Sequence, residues 1–378
     1  MTLHTTTPGT AVVMGAAGQD GFLLATLLLQ TGWIVHATVR QEVIPDFAHL
    51  PGNVRARLCV HQIDLLRLQP LLDLIKAVQP DEIYNLAGQS SVSRSFSDPL
   101  YTWKTNAESV VHLLECIRKS SSHTRFYQAS STDMFGIPPS GATVYDEDSA
   151  LNPQSPYASA KAAAHLLCHS YREVYGLRIA SGILSNHESH RRPLSFLSRK
   201  VVDHVMSVRN GADGGHGALP PLAVGNLKAQ RDWGFAPDYV EGMVRVLRQI
   251  KTRSEVAGLA IEADEGNNYR DYLLATGTTH AVWELIDCAF TIGGFDLKWN
   301  LEGDDPIGWH ANFRSTAAPA VVVDPYLLRA AEPVVIRVDP GRARKELGWT
   351  PRQGLEVFLT DMFTNSTGRE GLAETAGQ

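Results

Sequence analysis

The sequence predicts an α/β protein, with a doubly wound parallel sheet followed by a smaller, interleaved α/β substrate-binding domain. Three observations carry this. Short apolar runs alternate with helical stretches through the first half, a glycine-rich turn directly follows the first run, and beyond Asn186 the pattern breaks into shorter, irregular pieces. Strand–helix alternation of this kind places helices on both faces of a parallel sheet.

The elements follow in order. Residues 11–14 read as a first strand and 18–30 as a helix. Residues 33–39 and 58–63 read as the next strands, 68–78 as a helix and 82–86 as a strand. A single long helix is expected over 99–119, a strand over 125–130, a helix over 155–175, and a closing strand over 178–184. The first domain is therefore drawn at 1–185, with returns near 232–276 (a helix around 239–250 and an apolar run at 272–275). The second occupies mainly 186–378. Residues 210–221 form a Gly/Pro-rich loop, 301–320 show little periodicity, and about 365–378 read as a disordered tail.

Composition narrows the function. At 378 residues, 44% hydrophobic and 20% charged, the chain has the make-up of an ordered globular protein of about two domains. Its net charge of −6 lacks the basic footprint of a nucleic-acid binder. No apolar run approaches the roughly 18 residues of a membrane helix, and residues 1–10 carry no signal-peptide pattern, so a cytoplasmic protein is expected. Cys59, Cys116, Cys168 and Cys288 are scattered, as reduced thiols would be.

Gly15-Ala16-Ala17-Gly18-Gln19-Asp20-Gly21 lies between the first strand and a helix. Glycines there let the backbone turn tightly and approach a pyrophosphate, which then sits on the helix N-terminus. This is the Rossmann-type arrangement for a dinucleotide. The second strand ends in Arg40, with no acid until Glu42, which favours NADP over NAD because a 2′-phosphate prefers arginine. Asp64, after the third strand, stands where such folds contact adenine.

Tyr157-Ala158-Ser159-Ala160-Lys161 opens an Ala-rich helix. Residues four apart share a helix face, so the ammonium can lower the phenol's pKa and prepare it to take a hydroxyl proton. The preceding strand ends in Ser130, Ser131 and Thr132, followed by Asp133. A surface Tyr–Lys pair and a turn-forming aspartate are the bland alternatives.

With these residues the chain resembles the extended short-chain dehydrogenase/reductase superfamily and, within it, the GDP-mannose 4,6-dehydratases. The similarity spans roughly residues 11–363. Segments carrying it include 18–21, 82–87 with Gln89-Ser90, 126–130, 155–157, 182–184, Asn186-His187-Glu188-Ser189, Gly225-Asn226-Leu227 and Arg231-Asp232-Trp233-Gly234. The resemblance implies oxidation at C4 of the sugar, loss of water across C5 and C6, and return of the hydride to C6. The product would be a 4-keto-6-deoxy sugar nucleotide. It assigns Tyr157 and Lys161 to C4, Ser131 as their hydroxyl partner, and Asp133 as the carboxylate at C5 and C6. The family's usual residues at 131 and 133 are Thr and Glu. The alternatives are a redox-neutral epimerase that never expels water and a non-catalytic nucleotide-binding protein.

The same resemblance places Gly15, Gly18, Gln19, Asp20, Gly21, Arg40, Asp64, Leu65, Leu86, Ala87, Tyr157, Lys161, Leu184, Asn186 and His187 at the cofactor. Ser90, Asn186, Lys200, Arg231, Arg329 and Glu332 fall to the GDP-sugar, with Arg191 and Arg192 adding charge nearby. Arginine and lysine at a diphosphate follow from its charge. His165, Cys168 and His169 have a zinc-compatible spacing without further ligands, and His187 and His190 do not form an HExxH helix, so no metal is expected. Residues 41–47 lack the basic, serine-rich character of the family's tetramer segment. A homodimer through the two long helices is expected, and a tetramer is left open.

Overall fold

The computed structural model describes residues 8–40, 46–137, 144–214, 219–256, 269–328 and 335–365. Two compact units emerge. Unit 1 contains Met1–Ser185, Ala236–Gly277 and Ile336–Pro351, and unit 2 contains Asn186–Phe235, Thr278–Val335 and Arg352–Gln378.

Unit 1 begins with β1 (Thr10–Met14), α1 (Gln19–Gln30), β2 (Ile34–Val39), α2 (Gly52–Arg55), β3 (Leu58–Gln62), α3 (Leu68–Val78) and β4 (Glu82–Asn85). It continues through α4 (Val92–Ser97), α5 (Pro99–Trp103), α6 (Ser109–Ser120), β5 (Arg125–Ser131), β6 (Val144–Tyr145), α7 (Pro156–Tyr175) and β7 (Arg178–Leu184). The chain enters unit 2 with β8 (Asn186–Glu188), α8 (Leu197–Gly214), β9 (Leu222–Val224), β10 (Gln230–Arg231) and β11 (Trp233–Phe235). It returns to unit 1 for α9 (Ala236–Val256) and β12 (Tyr272–Leu274). Unit 2 resumes with β13 (His280–Ala281), α10 (Val282–Ile292), β14 (Leu297–Asn300), β15 (His310–Phe313) and β16 (Pro319–Val323). Finally β17 (Arg337–Val338) and α11 (Gly341–Leu347) belong to unit 1, and α12 (Leu355–Asn365) to unit 2.

Seven parallel strands form the sheet of unit 1, in the order β12-β7-β5-β4-β1-β2-β3. Both faces are covered, which explains the unbroken apolar run of β1. Ala11 and Val13 pack into a core with α1 and α9, while Val12 and Met14 enter a second core with α3, α6 and α7. Chain order reverses between β1 and β4, the switch point where such sheets leave a crevice at their carboxyl ends. In unit 2 the sheet order is β14-β15-β16-β9, and Val201, Leu285, Phe290 and Phe358 from α8, α10 and α12 join its core.

Two expectations change. The helix expected over 99–119 is broken, because Lys104–Glu108 winds as a π-helix between α5 and α6. The wider turn lets Asn106 reach back to Gln89. Its Nδ2 donates to the Gln89 carbonyl and its Oδ1 accepts the Gln89 amide, both at 2.8 Å. This buried two-way bond selects a local winding that periodicity does not reveal, and such bulges recur at functional sites. Residues 301–320, which show little periodicity, contain β15 and the start of β16, an antiparallel pair whose register shifts at Ala311/Asn312.

A buried charge cluster anchors the amino ends of β4 and β5. Glu82, fully buried, accepts Arg125 at 2.6 Å, two bonds from Arg248 at 2.9 Å and the Tyr84 hydroxyl at 2.9 Å. Burial first, and the Glu82 charge second, push the Tyr84 pKa well above its ordinary value. Breaking a buried ion pair by removing one partner typically costs about 3–5 kcal/mol. Glu82→Gln should therefore lower the unfolding free energy by an amount of that order, read as a lower urea midpoint at an unchanged slope.

Candidate active site

At the switch point the first loop is fixed by steric limits. Gly15 has φ +79°, and a Cβ there would lie 2.8 Å from the Ala87 Cα, so only glycine lets the β1 and β4 loops cross. Gly21 packs still closer on the Gly15 carbonyl. Gly18 differs, because a Cβ on it would meet nothing nearer than the Gly15 oxygen at 3.4 Å. Packing within the protein therefore does not require glycine at 18. The space before α1 fits a group that approaches the backbone, and Gly18, as N-cap, supplies no side-chain acceptor to the first turn. These are the properties of a dinucleotide phosphate cradle.

Beside this loop, α7 presents the tyrosine and lysine. Ser155 caps the helix by accepting the Ala158 amide at 3.1 Å, and Pro156 occupies its first turn. Tyr157 is buried in that turn, and the Lys161 Nζ lies 5.9 Å from its ring centre. The ammonium donates to the Ala129 carbonyl of β5 at 3.0 Å. Desolvation lowers its pKa to about 8, and the charge of Asp20 at the start of α1 opposes that shift. Lys161 thus keeps most of its charge at neutral pH while standing close to deprotonation.

β5 ends at Ser131, whose hydroxyl accepts the Asp133 amide at 3.2 Å and lies 3.4 Å from the Asp133 Oδ2. Ser131 and Asp133 are thereby a local pair, and the single turn Thr132–Phe135 that carries Asp133 packs on α7. Ser130 is held by α7 through His165 Nδ1 at 3.1 Å. His165, with its pKa lowered mainly by burial, also faces Asp271, which Arg172 grips with two bonds of 2.9 and 3.1 Å. The sequence offered His165 only as a zinc candidate. Its spacing of four from Lys161 was the available signal for a place behind the tyrosine–lysine face. Among the described residues no cluster of His, Cys, Asp or Glu is arranged for a metal.

The remaining unit 1 candidates line the carboxyl ends of the strands. Arg40, at the end of β2, donates to the Tyr101 hydroxyl. Asp64 is exposed after β3, closing a turn onto the Leu66 amide at 3.0 Å, and Leu65 is partly buried beside it. The Leu86 amide bonds the Met14 carbonyl at 3.2 Å, Ala87 touches Gly15, Ser90 is exposed, and Leu184 is buried at the end of β7. Gln19 is buried and donates to Asp20 at 3.0 Å. Asn106, which no sequence motif singles out, braces the loop after β4 through Gln89.

Unit 2 carries the other candidates. Asn186 is exposed and His187 buried on β8, which pairs with β11. Glu188 binds Arg192 at 3.0 Å and the Ser198 hydroxyl at 2.6 Å, and His190 bonds Asp361 through both its amide and its ring. Lys200 Nζ donates to the Ala223 carbonyl at 2.7 Å, and Arg231 to the Gln230 carbonyl at 2.7 Å. Arg192 thus serves an internal ion pair. Arg329 and Glu332 lie outside the described residues, as does most of the 41–47 segment.

Comparison with known proteins places the chain. The family model described as GDP-mannose 4,6 dehydratase matches residues 12–362. A GDP-mannose 4,6-dehydratase of Sinorhizobium fredii is 37% identical over 363 residues, covering 93% of this chain and 95% of that protein. Among solved structures, a dTDP-glucose 4,6-dehydratase from Streptomyces venezuelae with NAD and TYD bound superposes with a TM-score of 0.71. It is 21% identical and covers 94% of this chain and 96% of its own. RMD from Pseudomonas aeruginosa, complexed with NADPH, gives a TM-score of 0.69 at 22% identity, covering 96% and 100%. These two share the Rossmann-type fold. On the full-length family match, the chain belongs to the GDP-mannose 4,6-dehydratase family.

Proposed function

We propose that this chain dehydrates a GDP-sugar, GDP-mannose or a close relative, to a 4-keto-6-deoxy product with NADP as a recycled cofactor. The observation that carries the reading is local to unit 1. Tyr157, a charged and desolvated Lys161, and the Ser131–Asp133 pair are held on α7 and the end of β5, with β4 alone between β5 and the strand of the phosphate cradle. Family membership supplies the substrate class.

Tyr157 removes the C4 hydroxyl proton, with the Lys161 charge stabilising the phenolate and Ser131 bonding the same oxygen. NADP, when bound in the cradle of Gly15, Gly18 and Gly21, would supply the acceptor for the C4 hydride and its donor to C6. The 4-ketone acidifies C5, Asp133 takes the C5 proton and delivers a proton to the C6 hydroxyl, and water departs. Solvent restores the proton at C5. Aspartate is one methylene shorter than the family's glutamate, so the sugar sits closer to β5 in this reading. In this reading Arg40 selects NADP, since a guanidinium at the end of the second strand suits a 2′-phosphate. Gly15, Gly18, Gln19, Asp20, Gly21, Asp64, Leu65, Leu86, Ala87, Leu184, Asn186 and His187 complete the cofactor contacts. Ser90, Asn186, Lys200, Arg231, Arg329 and Glu332 take the GDP-sugar, with unit 1 serving mainly the cofactor and unit 2 mainly the sugar nucleotide. Exposed apolar residues on α5 and α7, with Leu100 at 75% and Val174 at 73% exposure, support a homodimer through these helices.

Incubation with GDP-mannose should give a product lighter by one water that takes deuterium from solvent at C5. An isomer of unchanged mass would establish epimerisation instead. Tyr157→Phe should cost about 10²–10⁴-fold in turnover with dinucleotide binding retained. Asp133→Asn should block water loss and let reduced nicotinamide accumulate, seen by its absorbance. Burial favours the neutral amine of Lys161, so its charge is lost near pH 8 instead of 10.5. The kcat profile should accordingly show an alkaline limb near pH 8 that Lys161→Met abolishes along with most activity. Light scattering should report a dimer, and Val174→Glu should shift it toward monomer.

A further inference from the structure

Arg40 is not alone at the end of β2. Its guanidinium carbon lies 5.9 Å from the centre of the Tyr101 ring, and that of Arg94, from the last turn of α4, lies 5.3 Å from the same ring. Arg40 also donates to the Tyr101 hydroxyl. Two like charges therefore meet on one half-buried phenol. Among the described residues neither guanidinium forms an ion pair, in a chain that carries more acidic than basic residues.

Holding two cations together without a counter-charge is unfavourable in isolation, and a nearby dianion relieves it. The aromatic ring fixes both planes without neutralising them, leaving donor edges for phosphate oxygens. The position is also specific. Arg40 follows β2, and α4 and α5 follow β4, the strands on either side of β1, whose loop forms the phosphate cradle.

We propose that Arg94, set by Tyr101, is the second arm of a phosphomonoester clamp with Arg40, and that the two together distinguish NADP from NAD by its 2′-phosphate. This rests on the NADP reading above and adds Arg94 and Tyr101 as specificity-determining residues. Arg40 holds one side of the phosphate through its strand-end position. Arg94 closes the other side from α4, and Tyr101 keeps its spacing from Arg40.

The test is titration of the full chain with NADPH and with NADH, following nicotinamide fluorescence, for the unaltered protein, Arg94→Ala, Arg94→Lys and Arg40→Ala. Removing a charge-assisted hydrogen bond to phosphate at a partly exposed site should weaken NADPH about tenfold in Arg94→Ala, with NADH unchanged and Arg94→Lys intermediate. Arg40→Ala should lower the same ratio. A preference for NADPH that survives Arg94→Ala overturns the inference while leaving the NADP reading intact. Equal loss of both nucleotides in Arg94→Ala, or a lowered melting temperature at an unchanged nucleotide ratio, also overturns it, because Arg94 then only supports the end of α4. Equal NADPH and NADH affinities in the unaltered protein overturn the NADP reading itself.

Discussion

The constraint on which unit 1 depends is the crossing of two backbones at the switch point. The loops after β1 and β4 approach so closely that a single Cβ on Gly15 would stand 2.8 Å from Ala87. That crossing determines where α1 begins. The start of α1 in turn places Asp20, whose charge acts on the buried ammonium of Lys161. A steric condition at one glycine thus reaches the electrostatics of a lysine on a helix far along the chain.

Lys161 shows how burial and charge are balanced. Removing the ammonium from water favours its neutral form. The Asp20 charge opposes this, and the outcome is a cation that still predominates at neutral pH. Such a group stabilises a neighbouring phenolate more strongly than a fully hydrated lysine would, because little water screens the pair. Behind it, His165 stays neutral as burial lowers its pKa, so the helix does not place a second positive charge beside the first.

Unit 2 uses paired charges for a different purpose. Glu188 is shared by Arg192 and Ser198, and Asp361 accepts both the amide and the ring of His190, which fastens the segment after β8 to α12. Side chains that look like free cations in the sequence are in these cases committed to internal bonds. Lys200 and Arg231 donate to backbone carbonyls of their own unit, so their ammonium and guanidinium groups have fixed starting positions.

The sequence by itself determined the parallel α/β class, the six strands β1–β5 and β7 with the main helices α1, α3 and α7 between them, the glycine turn, and the tyrosine–lysine spacing. Each is written in contiguous residues, as period, turn chemistry or an i, i+4 interval. Tertiary structure decided what depends on residues remote in the chain. The π-helix at Lys104–Glu108 exists because Asn106 bonds the Gln89 backbone 17 positions away. Glu82 finds Arg248 across 166 positions, and His190 finds Asp361 across 171. Likewise Arg40 and Arg94 become neighbours only through Tyr101, on a helix that follows another strand. No local pattern encodes such pairings, because which side chains meet is set by how the sheet and its helices pack.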